Sequence, residues 1–239
     1  MKKKLALILA GTAMAAMVLA GCGEKNNASG EDAKTAESVE DKKTFTVGFD
    51  AEYPPYGYMD ENGEYTGFDL ELAEAVCKLE GWELVKKPLN WDSKDMELNS
   101  GSIDCIWNGF TMNGREDDYT FSTPYVDNSQ VIVVAEKSGI DTLEDLAGKT
   151  VGVQAASAAL DLLQSEEEGG QKKLADTFGA LNEFADYNTA FTELQAGALD
   201  ALAIDVGVAN YQIKSRGEGY KILDETLNTE QYAIGFKKG

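Results

Sequence analysis

The stretch KTVGVQAASAALDLLQS, residues 149–165, decides the fold. Lys149–Gln154 is short, apolar and β-branched, which predicts a buried strand. A helix led by Ser157 follows and runs to Ser165, because a serine hydroxyl at that place caps the first free N–H groups. Downstream the unit repeats. Glu183–Ala185 predicts a short strand and Asn188–Ala196 a helix. Asp200–Ile204 (DALAI) then predicts a strand, and Val206–Ser215 a helix. Upstream, Gln130–Ala135 (QVIVVA) reads as a strand and Thr142–Leu146 as a short helix. Gln231–Lys237 (QYAIGFK) reads as a final strand.

The N-terminal half follows the same grammar. Thr44–Phe49 (TFTVGF) alternates like a strand, and the prolines in Tyr53–Gly57 break it into a loop. Asp60–Gly63 (DENG) is a turn. Asp69 stands as a helix N-cap, with Leu70, Ala73, Val76 and Cys77 on one face of the helix behind it. Glu83–Lys87 is a second strand, Ser93–Ser100 a short helix and Ser102–Trp107 a third strand ending at Asn108-Gly109. Strands alternating with helices predict an α/β fold with a largely parallel sheet. No solenoid period interrupts the pattern.

The first 43 residues are of a different kind. Lys2, Lys3 and Lys4 precede an uncharged run from Leu5 to Leu19. That run falls short of the ~20 residues a membrane-spanning helix needs and suits a signal segment. Leu19-Ala20-Gly21-Cys22 looks like a bacterial lipobox, so residues 1–21 are expected to be cleaved and Cys22 to carry lipid. Residues 23–43 are polar and charged, which predicts a disordered tether. A coil of that length reaches on the order of 25 Å, from about 5–6 Å × √n.

Charge and composition exclude several functions. The net charge is −21, so a nucleic-acid partner is not expected. Histidine is absent. That removes Ser-His-Asp and Cys-His nucleophile systems and every His-ligated metal site, and no cofactor or metal is expected. After Cys22 only Cys77 and Cys105 remain. They read as buried free thiols, with a disulfide allowed in an exported protein.

A series of motifs carries a resemblance. It comprises VGFDAEYPPY (47–56), YTGFDLELA (65–73), GSIDCI (101–106), GFT (109–111) with Arg115, FSTPY (121–125), LEDLAGKTVGV (143–153), LQAGALDA (194–201) and Asp205. In this order and spacing the chain resembles an extracellular solute-binding protein (family 3 type) of polar amino-acid ABC importers, a bacterial lipoprotein, from about Phe45 to Lys237. The resemblance implies a periplasmic-binding-protein-like fold (type II), two α/β lobes with a hinge and a central ligand cleft. Lobe one would comprise 44–126 plus 232–239, and lobe two 130–228, with the hinge near 126–130 and 227–232. It also implies an ABC permease partner, a lipid anchor at the cell membrane and a monomeric binding protein rather than an enzyme. Proteins of this type continue for a few helical turns past the last strand, so a lobe-one face is expected to lie uncovered at Gly239.

The chemistry of a free amino acid stands beside that resemblance. Its carboxylate wants a guanidinium fork and hydroxyl or backbone donors. Arg115, one of only two arginines, fits the first need, and Thr111 adds a hydroxyl. Ser157 and Ala158 open a helix whose N–H groups suit an anion, and Ser157 serves equally as a plain cap. Ala158 departs from the hydroxyl residue usual there, leaving only its backbone donor. The family's usual Thr–Arg spacing is also one residue longer than Thr111…Arg115. Asp205, at the end of DALAI, would hold the ammonium with help from the Gly109 carbonyl. Its other reading is a helix cap. Tyr53 and Trp91 match aromatic walls, with Trp107 a further candidate; core packing is the competing reading for both tryptophans. Asp50, joined by Glu52 and Asn108, matches the place where the ligand's side chain ends, and favours a basic or amide amino acid. Two other readings remain: an enzyme on the same fold, of dehydratase or murein-lyase type, and a sensor presenting ligand to a signalling partner. The first needs a cleft carboxylate with a raised pKa working as acid or base.

Overall fold

The computed structural model describes residues 43–217 and 219–239. The expected signal segment, Cys22 and the tether up to residue 42 lie outside them. In chain order the elements are β1 (Thr44–Phe49), β2 (Glu52–Tyr53), β3 (Gly57–Met59), β4 (Tyr65–Thr66), α1 (Phe68–Glu80), β5 (Glu83–Pro88), α2 (Lys94–Ser100), β6 (Cys105–Ile106) and β7 (Tyr119–Phe121). Then come β8 (Val126–Ala135), β9 (Thr150–Gln154), α3 (Ala158–Gln164), α4 (Lys172–Ala175), β10 (Ala180–Phe184), α5 (Tyr187–Ala196), β11 (Ala201–Asp205), α6 (Val206–Arg216), β12 (Tyr220–Ile222), β13 (Asn228–Tyr232) and β14 (Gly235–Lys237).

Two main sheets result. The first has the order β5-β1-β6-β14-β7, and the second β10-β9-β11-β8-β12, with β13 also paired to β8. In the first, β1 runs parallel to β5 and β6, with Val47 opposite Cys105, while β14 is antiparallel to β6 and β7. In the second, β9 is parallel to β10 and β11, but β8 is antiparallel to β11, β12 and β13. Both sheets are therefore mixed, which corrects the expectation of a largely parallel sheet. Periodicity reports burial on both faces of a strand but not its direction. The long strand β8 and its partner β13 carry the chain from the first sheet into the second and back, paired from Val126–Tyr232 to Gln130–Asn228.

Each element is held by what it buries. In α1, Leu70, Ala73 and Cys77 point inward, and Gly81 ends the helix at φ 69°, its N–H bonded to Cys77 O. That left-handed turn is cheap only for glycine. The helix begins two residues earlier than expected, with Gly67 as its cap. Asp69 falls in the first turn, where its carboxylate is fully buried and accepts the Gly109 N–H instead of capping. Ser157 does cap α3, accepting the Leu160 N–H at 3.2 Å. Val131, Val133, Leu202 and Ile204 pack with Phe191 and Leu194 of α5 on one face of the second sheet. Ile132, Val134, Val151 and Val153 pack with Leu160 and Leu163 of α3 on the other. Fully burying each such side chain is worth about 1.5–3 kcal/mol.

Several sequence boundaries move. The strand expected over Ser102–Trp107 is confined to Cys105–Ile106. The expected final strand splits into β13 and β14, which belong to different sheets. The expected helix at Ser93–Ser100 is α2, Lys94–Ser100, entered through a 3-10 turn at Trp91–Ser93. Cys77 and Cys105 are buried free thiols. No helix among the described residues is long and apolar enough to cross a membrane.

Candidate functional site

Strand ends and the turns behind them converge between the two sheets. Tyr53 comes from β2 and Trp91 from the turn after β5. Gly109, Thr111 and Arg115 come from the segment after β6, Gln154 from the end of β9, Ser157 and Ala158 from the start of α3, and Asp205 from the end of β11. Together these nine residues line a tight cavity of about 10 Å³. The ends of strands in α/β sheets are where such sites form, because the chain turns there and leaves backbone and side-chain donors unpaired.

Side chains of both charges line the cavity. Arg115 lies with its guanidinium 5.1 Å over the Phe110 ring, its side chain only 12% exposed. Its Nη2 donates to Asp161 Oδ2 of α3 at 2.7 Å. Nε and Nη1 meet no protein acceptor among the described residues. Lys94 adds a second positive group, 5.2 Å over Trp91, and donates to the Ala156 carbonyl at 3.1 Å. Ala156 turns its carbonyl there from a left-handed conformation, φ 55°. Burial, then Arg115, lowers the Lys94 pKa.

Asp205 provides the negative end. It occupies the N-cap position of α6, yet its side chain makes no cap bond. Its Oδ1 accepts instead from Asn128 Nδ2 at 2.7 Å, Gln130 Nε2 at 2.7 Å and the Tyr232 hydroxyl at 2.6 Å. Three donors compensate a buried carboxylate that would otherwise be costly. Gly109 sits beside it at φ 56°; a Cβ there would lie 3.0 Å from the rings of Tyr53 and Tyr232.

Other expected residues are placed differently. Asp50 is buried but lines an adjoining recess with Glu52, Trp91 and Asp186. Gln154 joins recess to cavity, donating to Asp50 Oδ2 at 2.7 Å and to Ala185 O at 3.0 Å. Burial pushes the Asp50 pKa up to about 6. Glu52 faces the second sheet's side and accepts from Asn188 Nδ2. Asn108 is fully buried behind the cavity, its amide close against Gly57, and does not line it. Trp107 packs in the first sheet's core, edge-on to Tyr125.

Sequence reasoning missed Gln154, Asp161 and Glu230. Gln154 could have been found, since it ends the strand that feeds the Ser157 helix. Glu230 is buried in β13, and its Oε1 accepts the Thr111 hydroxyl at 2.7 Å. Thr111 therefore spends its proton on a carboxylate of the protein. Burial and the neighbouring Asp205 carboxylate push the Glu230 pKa up to about 7. Nothing in the polar run NTEQY marked it.

A two-lobed α/β fold with a charged cleft at its strand ends defines a binding protein for small solutes. The chain belongs to the bacterial extracellular solute-binding proteins, family 3, whose model matches residues 45–227. It is 33% identical to the arginine-binding extracellular protein ArtP of Bacillus subtilis over 242 residues, covering 100% of this chain and 87% of that protein. It is 29% identical to the L-cystine-binding protein TcyJ of Escherichia coli, over 95% of this chain and 82% of that one. Among solved structures it superposes with a TM-score of 0.77 on a substrate-binding protein of an ABC uptake transporter from Streptococcus pneumoniae with bound histidine. That match has 34% identity over 82% of this chain and 80% of that one.

Proposed function

We propose that the chain captures an extracellular polar amino acid and delivers it to an ABC importer. The carrying observation is that Arg115 and Asp205 line one cavity. A guanidinium fork suits the α-carboxylate, and a carboxylate with the Gly109 carbonyl suits the α-ammonium. The relatives point the same way, being named as binding proteins for arginine and cystine rather than as enzymes. In this reading Tyr53 and Trp91 flank the ligand's side chain. Thr111, Ser157 and Ala158 lie around its carboxylate. Asp50, with Glu52 and Asn108 near it, favours side chains that end in N–H donors.

In this reading two lobes, 44–126 with 232–239 and 130–228, close about a hinge near 126–130 and 227–232. Hinge closure around a ligand is a known mode of motion. A lipid on Cys22 and the tether behind it would keep the monomeric body beside its permease. The test is Arg115→Ala with titration calorimetry. Affinity for the best amino acid is expected to fall at least tenfold, about 1.4 kcal/mol. A smaller loss would show that the carboxylate is held elsewhere.

A further inference from the structure

Zwitterion capture gives Glu230 no task, yet this acid is only 5% exposed and lines the cleft beside Thr111 and Arg115. Its Oε1 accepts from Thr111 Oγ1 at 2.7 Å, Asn128 Nδ2 at 2.7 Å and Gln130 Nε2 at 2.8 Å. The same two amide nitrogens donate to Asp205 Oδ1, each at 2.7 Å. Each amide thus shares its two hydrogens between two acids. Two bonds of 2.7 Å end to end hold the carboxylate oxygens within about 5.4 Å of one another. Two full negative charges that close, shielded from water, repel, and a proton held by the pair relieves them.

The groups facing Glu230 support this. Asp205 comes from β11, and Tyr187 from α5 with its phenol pKa raised by burial. Asn128 and Gln130 of β8 and Thr111 are uncharged. Across the cleft Lys94 and Arg115 are the positive groups, and Arg115 is paired with Asp161. No cation contacts Glu230 itself among the described residues.

We propose that Glu230 carries a proton until an ammonium docks on Asp205 and then releases it, so that amino-acid capture expels one proton. This rests on the zwitterion reading above. The raised Glu230 pKa, about 7 from burial and then Asp205, agrees with it. The ammonium brings positive charge beside the pair and favours ionised Glu230. Below that pKa binding must therefore displace a proton. Affinity rises with pH, by up to tenfold per unit, and levels off above about 7.

The test is titration calorimetry on the full chain with glutamine, and arginine in parallel, in buffers of different protonation heat. At pH 6 close to one proton should leave per glutamine bound, and at pH 8.5 almost none. Glutamine's side chain is uncharged, so it brings no new charge to Asp50. Glu230→Gln should abolish the release at pH 6 and flatten the pH profile. Should that variant fail to fold, infrared difference spectra of the unaltered protein serve: at pH 6, adding glutamine should remove one protonated carboxyl's absorption, beside the Asp50 and Asp69 carboxyls that also hold protons there. Buffer-independent heats at pH 6, a difference spectrum without that loss, or release retained in Glu230→Gln would overturn the proposal. Absence of any heat with both ligands at both pH values would instead sink the zwitterion reading.

Discussion

Gly207 lies in the first turn of α6, against Tyr56 from the turn between β2 and β3. A Cβ at that position would stand 2.3 Å from the Tyr56 hydroxyl oxygen, 3.0 Å from Cζ and 3.1 Å from Cε2. The tyrosine cannot easily swing away. It is 8% exposed, with Tyr53 at 5.9 Å, Tyr232 at 5.2 Å and Phe68 at 6.4 Å between ring centroids. Overpacking of this kind costs about 1–3 kcal/mol. Gly207 belongs to the second sheet's side and Tyr56 to the first, so the cost falls on the approach of the two sides and not on either alone. The helix itself gains up to about 1 kcal/mol from Gly→Ala. Gly207→Ala should therefore raise the Kd for amino acid roughly 5–150-fold, while the Tm without amino acid stays level or rises. Adding Tyr56→Phe, which removes the nearest atom, should recover part of the affinity. Titration calorimetry and a melting curve decide it. A Kd within twofold of the unaltered protein would refute the reasoning, because the contact would then not form in the bound arrangement.

Four other outcomes follow from the same geometry. Asp205→Asn removes the negative end of the cavity and should weaken amino-acid binding at least tenfold by calorimetry, with secondary structure unchanged by circular dichroism. Phe110→Ala empties a fully buried site among Trp91, Tyr119 and Phe121 and should cost about 3–5 kcal/mol in urea unfolding. Ser157→Ala removes the α3 cap and should cost about 1 kcal/mol in the same assay. Asp50 at about 6 and Asp69 and Glu230 at about 7 all take up protons more readily folded than unfolded. Their stabilisation is complete below the unfolded values near 4 and is lost as pH rises through 6 to 7. The Tm should be higher at pH 5 than at pH 8, and Asp69→Asn should reduce that difference.

Residues whose chemistry conflicts with their surroundings were the legible ones. Arg115 is one of two arginines, and Asp205 ends an apolar strand, so each asked for a partner. Long elements were legible too, because α1 and α5 offer enough residues for a period to show. Strands β2, β3 and β4 have two or three residues each, too few for alternation to register. The split between β13 and β14 was hidden because both halves look equally strand-like and only tertiary pairing assigns them to different sheets. Asp69 shows the limit of local rules. A capping residue beside a helix start reads as a cap, but the Gly109 N–H, forty residues away, donates to its carboxylate. Glu230 was illegible for the same reason: its donors come from Thr111, Asn128 and Gln130, all distant in sequence.

The central claim is that this cleft holds a polar amino acid by its two charged α-groups. A thermal-shift screen of the full chain against the common amino acids tests it most directly. An amino acid that binds only the folded chain adds about 2.7 kcal/mol of stability at a hundred times its Kd, so the Tm should rise with at least one polar member of the set. No response to any amino acid, together with a response to sugars or metal ions, would contradict the account.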